Sequence, residues 1–250
     1  MLENLTKKDL KPLVVPYITG QMRDDWLDII YQMANAKADA IEVGLPFSDP
    51  MIDGPTIQES SKKAIENGAT TDSILDGLAS LDIDCPIYIM TYYNLIVRVG
   101  IDRFVERVVS SKVKGLIVPD LPLEEIDELN TATRSAGVSQ VLLVAPSTPD
   151  LRMASIAKRS AGFLYTMGLM GVTGERSSLP QSALETARRA KKVAPGDLPV
   201  LVGIGVSLPE QAREITKYCD GVVVGSAIVR RILNGSKIDE IGEFIQSFKS

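Results

Sequence analysis

Eight short apolar runs rich in β-branched residues recur along the chain, each bounded by turn residues and separated by stretches of helical spacing. The runs are Leu13–Ile18, Ala40–Gly44, Pro86–Met90, Gly115–Val118, Gln140–Ala145, Gly162–Met167, Pro199–Ile204 and Gly221–Val224. Near-continuous apolarity over so few residues suits parallel strands covered on both faces, whereas a half-exposed sheet would alternate. Between the runs, Trp26, Ile29, Ile30 and Met33 share one face of a helix over Asp24–Lys37. Phe104, Val105, Val108 and Val109 do the same after Asp102. The interval Leu123–Ala136 opens on Glu124, Glu125 and Asp127, charges that complement a helix N-terminus. Ile156 and Ala157, Leu184 and Ala187, and Ala212 and Ile215 mark the next three helices, and Ile238, Ile241, Ile245 and Phe248 a last one. Strict alternation through eight units predicts an α/β fold, a single (β/α)8 TIM barrel spanning residues 1–250, with a short extra helix after strand eight. An open doubly wound sheet also alternates. It calls for a glycine fingerprint after the first strand, and Thr19-Gly20-Gln21-Met22-Arg23 stands there instead.

Composition narrows the chemistry. The 250 residues include no His, so Ser-His-Asp triads, Cys-His dyads and His metal ligands are excluded. The two cysteines, Cys85 and Cys219, lie far apart beside apolar runs and read as reduced and buried, not as a disulfide or zinc site. A net charge of −5 with no dense basic cluster argues against nucleic acid and against a polybasic membrane patch. The first ten residues lack the apolar core of a signal peptide, and no apolar run reaches the roughly 20 residues that span a bilayer. The expectation is a soluble cytoplasmic protein with no metal.

In such a barrel the chemistry sits where strands end and βα loops begin. Glu42 is the one charged residue of Ala40-Ile-Glu-Val-Gly44. Alternation places it opposite Ile41 and Val43, pointing into the barrel, where partial desolvation raises a carboxyl pKa. The competing role is a structural ion pair, but the neighbouring strand runs contain no Lys or Arg. The next loop, Leu45 to Pro55, carries three prolines and two more acids, Asp49 and Asp53. Asp53 suits either a second site carboxylate or a cap for the helix Thr56–Asn67. Calcium is a poor fit, because the acids are not spaced as an EF-hand and the prolines stiffen the loop. Tyr92, Tyr93, Asn94, Asp120 and Tyr165 read as pocket lining. Gly203 and Gly205 end strand seven and Gly225-Ser226 ends strand eight; with Ser226 capping a helix Ala227–Leu233, these form an anion site made of backbone N–H groups. The loop Gly171–Pro180 is either a lid that closes over substrate or a plain surface loop.

These motifs resemble one family. Ile41-Glu-Val-Gly-Leu-Pro-Phe-Ser-Asp-Pro-Met-Ile-Asp-Gly-Pro-Thr-Ile-Gln58 is similar to the signature of tryptophan synthase alpha chains. Val15–Thr19, Tyr92–Leu95, Pro119–Pro122, Gly171–Gly174 and Gly225-Ser226 follow in the family's order, so the similarity covers about Pro12 to Phe248. The resemblance implies a lyase of tryptophan biosynthesis: retro-aldol cleavage of indole-3-glycerol phosphate to indole and glyceraldehyde 3-phosphate. It implies no cofactor in this chain, and a beta chain partner in an alpha2-beta2 complex that holds pyridoxal phosphate and receives the indole.

The resemblance also gives Glu42 the role of general acid–base and Asp53 that of hydrogen-bond acceptor for the indole N–H. Tyr165 falls near the glycerol phosphate, and Thr173 is the lid residue that meets Asp53. Gly174, Gly203, Gly225 and Ser226 form the phosphate cradle, and Tyr17 lies against the indole where the family usually has Phe. Asn94 and the loops around Asp49 and Asp120 would face the beta chain. Leu169-Met170 replaces an Arg-Ser common in bacterial members, and Pro119 replaces a small residue. A free-standing lyase and a decayed chain that only activates its partner are the alternatives, the second disfavoured by the presence of both Glu42 and Asp53.

Overall fold

A computed structural model describes Leu5 and residues 12–167, 180–203 and 205–249. Among these residues the strands are β1 (Leu13–Thr19), β2 (Ile41–Gly44), β3 (Ile87–Met90), β4 (Gly115–Ile117), β5 (Ser139–Val144), β6 (Leu164–Met167), β7 (Val200–Gly203) and β8 (Gly221–Val224). They pair in parallel and in sequence order, and β8 closes onto β1, so the sheet is a closed eight-stranded barrel. The helices are α1 (Trp26–Asn35), α2 (Pro55–Glu66), α3 (Thr71–Ala79), α4 (Tyr93–Val99), α5 (Ile101–Ser110), α6 (Asp127–Ser135), α7 (Asp150–Arg159), α8 (Gln181–Val193), α9 (Pro209–Ile215), α10 (Ser226–Leu233) and α11 (Ile238–Ser247).

Two apolar layers follow from the strand period of two. Val14, Ile18, Ile41, Val43, Leu164 and Val202 belong to the cluster shared with the helices. Leu13, Val15, Tyr88, Ile117, Phe163 and Val223 belong to the cluster that fills the barrel. Large inward side chains need small neighbours where the tilted strands converge. A Cβ on Gly115 would lie 2.4 Å from Tyr88 Cε1, and one on Gly44 would lie 2.0 Å from the Tyr17 hydroxyl. Glycine at these positions is therefore a matter of space.

Several local expectations differ from what is observed. Leu123–Ala136 is not one helix: Leu123–Glu125 forms a 3-10 turn, and α6 starts at Asp127. Two helices escape the apolar-stripe reading. Helix α3 begins with a capping box between Thr70 and Ser73, and α4 is a short segment split from α5 by Gly100, whose φ of 93° ends one helix and begins the next. Val109 is exposed on α5, not part of its buried face. Cys219 is buried but Cys85 is only half-buried; both carry reduced thiols. Ser226 does not cap a helix at Ala227. It is the first residue of α10, and Gly225 is the N-cap.

Candidate active site

Glu42 sits in β2 with Tyr17 of β1 and Tyr88 of β3 as its register partners. It faces a pocket of about 730 Å3 at the C-terminal mouth of the barrel. The side chain is 1% exposed, and among the described residues it has no ion pair and its Oε2 atom has no hydrogen-bond partner. A buried carboxylate without compensation favours its neutral form. Burial first, and the Asp53 charge second, raise its pKa to about 8.

Asp53 reaches the same pocket from the loop after β2 and is 6% exposed. Its backbone N–H donates to the Pro50 carbonyl (3.1 Å), and its own carbonyl accepts from Gln58 Nε2 (2.8 Å). The Tyr92 hydroxyl donates to Asp53 Oδ2 at 3.0 Å and accepts from the Ile52 N–H at 3.2 Å. Phe47 stacks on the Tyr92 ring with centroids 4.9 Å apart, which ties the proline-rich loop to the start of α4. Gly54, not Asp53, is the N-cap of α2, so the carboxylate is not spent on that cap. Burial raises the Asp53 pKa to about 6, and the Tyr92 hydrogen bond opposes the rise. At neutral pH the two acids therefore differ: Glu42 is mostly neutral and Asp53 mostly ionised. Environments that push two carboxyl pKa values apart separate a group able to give a proton from one that stays ionised.

The pocket body is apolar, with Ile52, Ile57, Met90, Leu143 and Val223 on its walls. Tyr17 and Tyr165 also line it. Burial is the first cause that raises both hydroxyls above the ordinary 10, followed by the Asp53 charge for Tyr17 and the Glu42 charge for Tyr165. Pro119 is part of the wall, so the departure at that position bears on pocket shape.

The polar end is formed by Gly205–Ser207 and by Gly225-Ser226. Gly205 has a φ of 95°, a conformation that favours glycine. Helix α10 opens here and presents the Ser226 and Ala227 N–H groups, with no Lys or Arg among the described lining residues. Gly203 is not in that lining; a Cβ there would lie 2.3 Å from the Tyr165 hydroxyl, so this glycine makes room for Tyr165.

Tyr93, Asn94 and Asp120 do not line the pocket. The Asp120 carboxylate accepts the Tyr93 N–H at 2.9 and 3.1 Å and so holds the start of α4. Tyr92 serves the site through Asp53 without being part of the wall, a role that residue type alone does not signal. Ser207 and Val206 are site residues that sequence reading passed over; their signal was proximity to the Gly-x-Gly. Thr173, Gly174, Leu169 and Met170 lie outside the described residues. Among the described residues no cluster of three or more His, Cys, Asp or Glu could hold a metal ion, and no helix is long and apolar enough to cross a membrane.

A closed parallel eight-stranded barrel with two buried carboxylates of different pKa in the pocket at its mouth has the form of a barrel enzyme of acid–base chemistry. The family model for "Tryptophan synthase alpha chain" matches residues 3–248. A relative of that name from Carboxydothermus hydrogenoformans is 42% identical over 210 residues, covering 83% of this chain and 78% of its own. One from Petrotoga mobilis is 38% identical over 224 residues, covering 89% and 85%. Among solved structures, a tryptophan synthase alpha-subunit from Pyrococcus furiosus superimposes with a TM-score of 0.86 at 35% identity, covering 95% of this chain and 98% of that one. A Mycobacterium tuberculosis tryptophan synthase gives 0.86 at 33% identity, covering 96% and 91%. The chain belongs to the tryptophan synthase alpha chain family.

Proposed function

We propose that the chain cleaves indole-3-glycerol phosphate to indole and glyceraldehyde 3-phosphate, with Glu42 as general acid–base and Asp53 as acceptor for the indole N–H. The observation that carries this reading is the buried Glu42 carboxyl, whose Oε2 has no partner among the described residues, facing the same pocket as Asp53. The apolar walls suit a flat indole, and the end at Gly225-Ser226 suits the phosphate.

In the retro-aldol step, neutral Glu42 gives its proton to indole C3. Positive charge develops in the ring, and ionised Asp53 stabilises it through the N–H. The Glu42 carboxylate then takes the proton of the C3′ hydroxyl. The carbon–carbon bond breaks, its electron pair restores the indole ring, and the aldehyde forms. Glu42 ends protonated, so the cycle closes without an external proton. A group with a pKa near the working pH suits both proton transfers. Tyr17 packs against the indole, and Tyr165, Gly225 and Ser226 hold the glycerol phosphate, with Gly203 giving Tyr165 its room.

By family membership the partner is a beta chain, in an alpha2-beta2 assembly in the cytoplasm, and the pyridoxal phosphate is the partner's. Asn94, Asp49 and Asp120 are exposed, as that contact would require. We also take the chain to be one barrel domain. Indole release from indole-3-glycerol phosphate, measured with and without a beta chain, tests the reading. Turnover that rises with the partner supports it; no indole under either condition overturns it.

A further inference from the structure

A line of buried hydroxyls runs from helix α2 into the pocket. Ser60 Oγ donates to the Ile57 carbonyl at 2.8 Å, Thr19 Oγ1 lies 2.7 Å from Ser60 Oγ, and the Tyr17 hydroxyl lies 3.2 Å from Thr19 Oγ1. Each hydroxyl carries one proton. The Ile57 carbonyl only accepts, so the Ser60 proton is used there and Thr19 donates to Ser60. The Thr19 proton is then used, and Tyr17 donates to Thr19. Thr19 and Ser60 are fully buried, and Tyr17 is 4% exposed, so water does not compete along the line.

The consequence concerns the carboxylates. Tyr17 is in register with Glu42, and its hydroxyl titration feels both Asp53 and Glu42. The hydrogen bond of this phenol goes to Thr19, and Glu42 Oε2 has no partner among the described residues. We propose that Thr19 and Ser60 are positioning residues, which turn the Tyr17 proton away from the carboxylates, so that Glu42 faces the substrate without a phenolic donor and Asp53 keeps Tyr92 as its phenolic partner. The inference rests on the reading of Glu42 as general acid–base. Among the described residues the titratable groups that face Glu42 are Asp53 from the loop after β2, Tyr17 from β1, Tyr88 from β3 and Tyr165 from β6, with Tyr92 behind Asp53, and no Lys or Arg lines the pocket.

The test is a pH titration of the Glu42 and Asp53 carboxyl carbons by NMR on the full chain without substrate. The pH profile of kcat/KM for indole release is measured beside it. Thr19→Val frees the Tyr17 proton, and a carboxyl midpoint of the pair should fall by about one pH unit, the size of a hydrogen bond to a charged group. Adding Tyr17→Phe removes the donor and should restore the midpoint, and Thr19→Ser, which keeps the hydroxyl, should leave it in place. Ser60→Ala should act in the same direction as Thr19→Val. Unmoved midpoints in Thr19→Val, or a fall that Tyr17→Phe does not reverse, overturn the relay. Because the titration needs no turnover, its failure is distinct from a failure of the lyase reading, which shows as absent indole release by the unsubstituted chain.

Discussion

Replacing Glu42 with Gln tests the energetics of the site before any substrate is added. Gln keeps nearly the same size and removes the titration. Burial and the Asp53 charge raise the Glu42 carboxyl from its ordinary 4.5 to about 8, so between those values the folded chain holds one proton more than the unfolded chain. A pKa raised by folding contributes stability that is fully present at low pH and lost as pH rises through the folded value. Within the window the loss is about 1.4 kcal/mol per pH unit, which comes to about 3 kcal/mol between about pH 5.5 and pH 8.5. The Gln variant escapes that loss. Asp53, raised by burial to about 6, titrates in both proteins and largely cancels in the comparison. Urea unfolding at the two pH values should show the stability of Glu42→Gln gaining on the unsubstituted chain by about 3 kcal/mol as pH rises. Parallel stabilities, or a gap that narrows, would refute the claim that Glu42 is buried, unpaired and costly to ionise.

Other changes probe the rest of the pocket. Asp53→Asn removes the negative acceptor for the indole N–H, and kcat/KM for indole release should fall roughly a hundredfold. Tyr92→Phe removes the hydrogen bond that lowers the Asp53 pKa, so that pKa should rise above about 6 and activity should decline sooner on acidification. A pH–rate profile reads this, and an unmoved acid limb would count against the Tyr92 contact. Gly225→Asp places a charge at the anion end. A Cβ there lies 3.8 Å from its nearest neighbour, Tyr17 Cβ, so the chain should fold normally while KM rises at least about tenfold. Gly203→Ala drives a methyl to 2.3 Å from the Tyr165 hydroxyl and should destabilise the barrel by about 1–3 kcal/mol in thermal or urea unfolding.

The barrel was legible because each buried parallel strand leaves a near-continuous apolar run, and all eight runs fall within a residue or two of the strands observed. Glu42 was legible for the same reason: a charge inside such a run must face the interior or be paired. Helices α3 and α4 were missed because each is short and α3 carries Gly77 within its apolar pattern. The clamp of Tyr92 on Asp53 joins residues 39 apart in sequence, and the hydroxyl line joins Thr19 to Ser60, 41 apart. Local periodicity carries no information on such contacts. Gly203 illustrates the same limit: sequence reading assigned it to an anion loop, while its surroundings show a glycine that makes room for an aromatic ring.

The central claim is that one carboxyl, Glu42, moves the protons. The most direct measurement is single-turnover indole release from indole-3-glycerol phosphate by Glu42→Gln, together with equilibrium binding of the substrate to the same variant. The account predicts binding close to that of the unsubstituted chain, since the anion end and Asp53 are untouched, with release slowed by at least about a thousandfold through loss of the acid–base group. Indole release within about tenfold of the unsubstituted rate would contradict it.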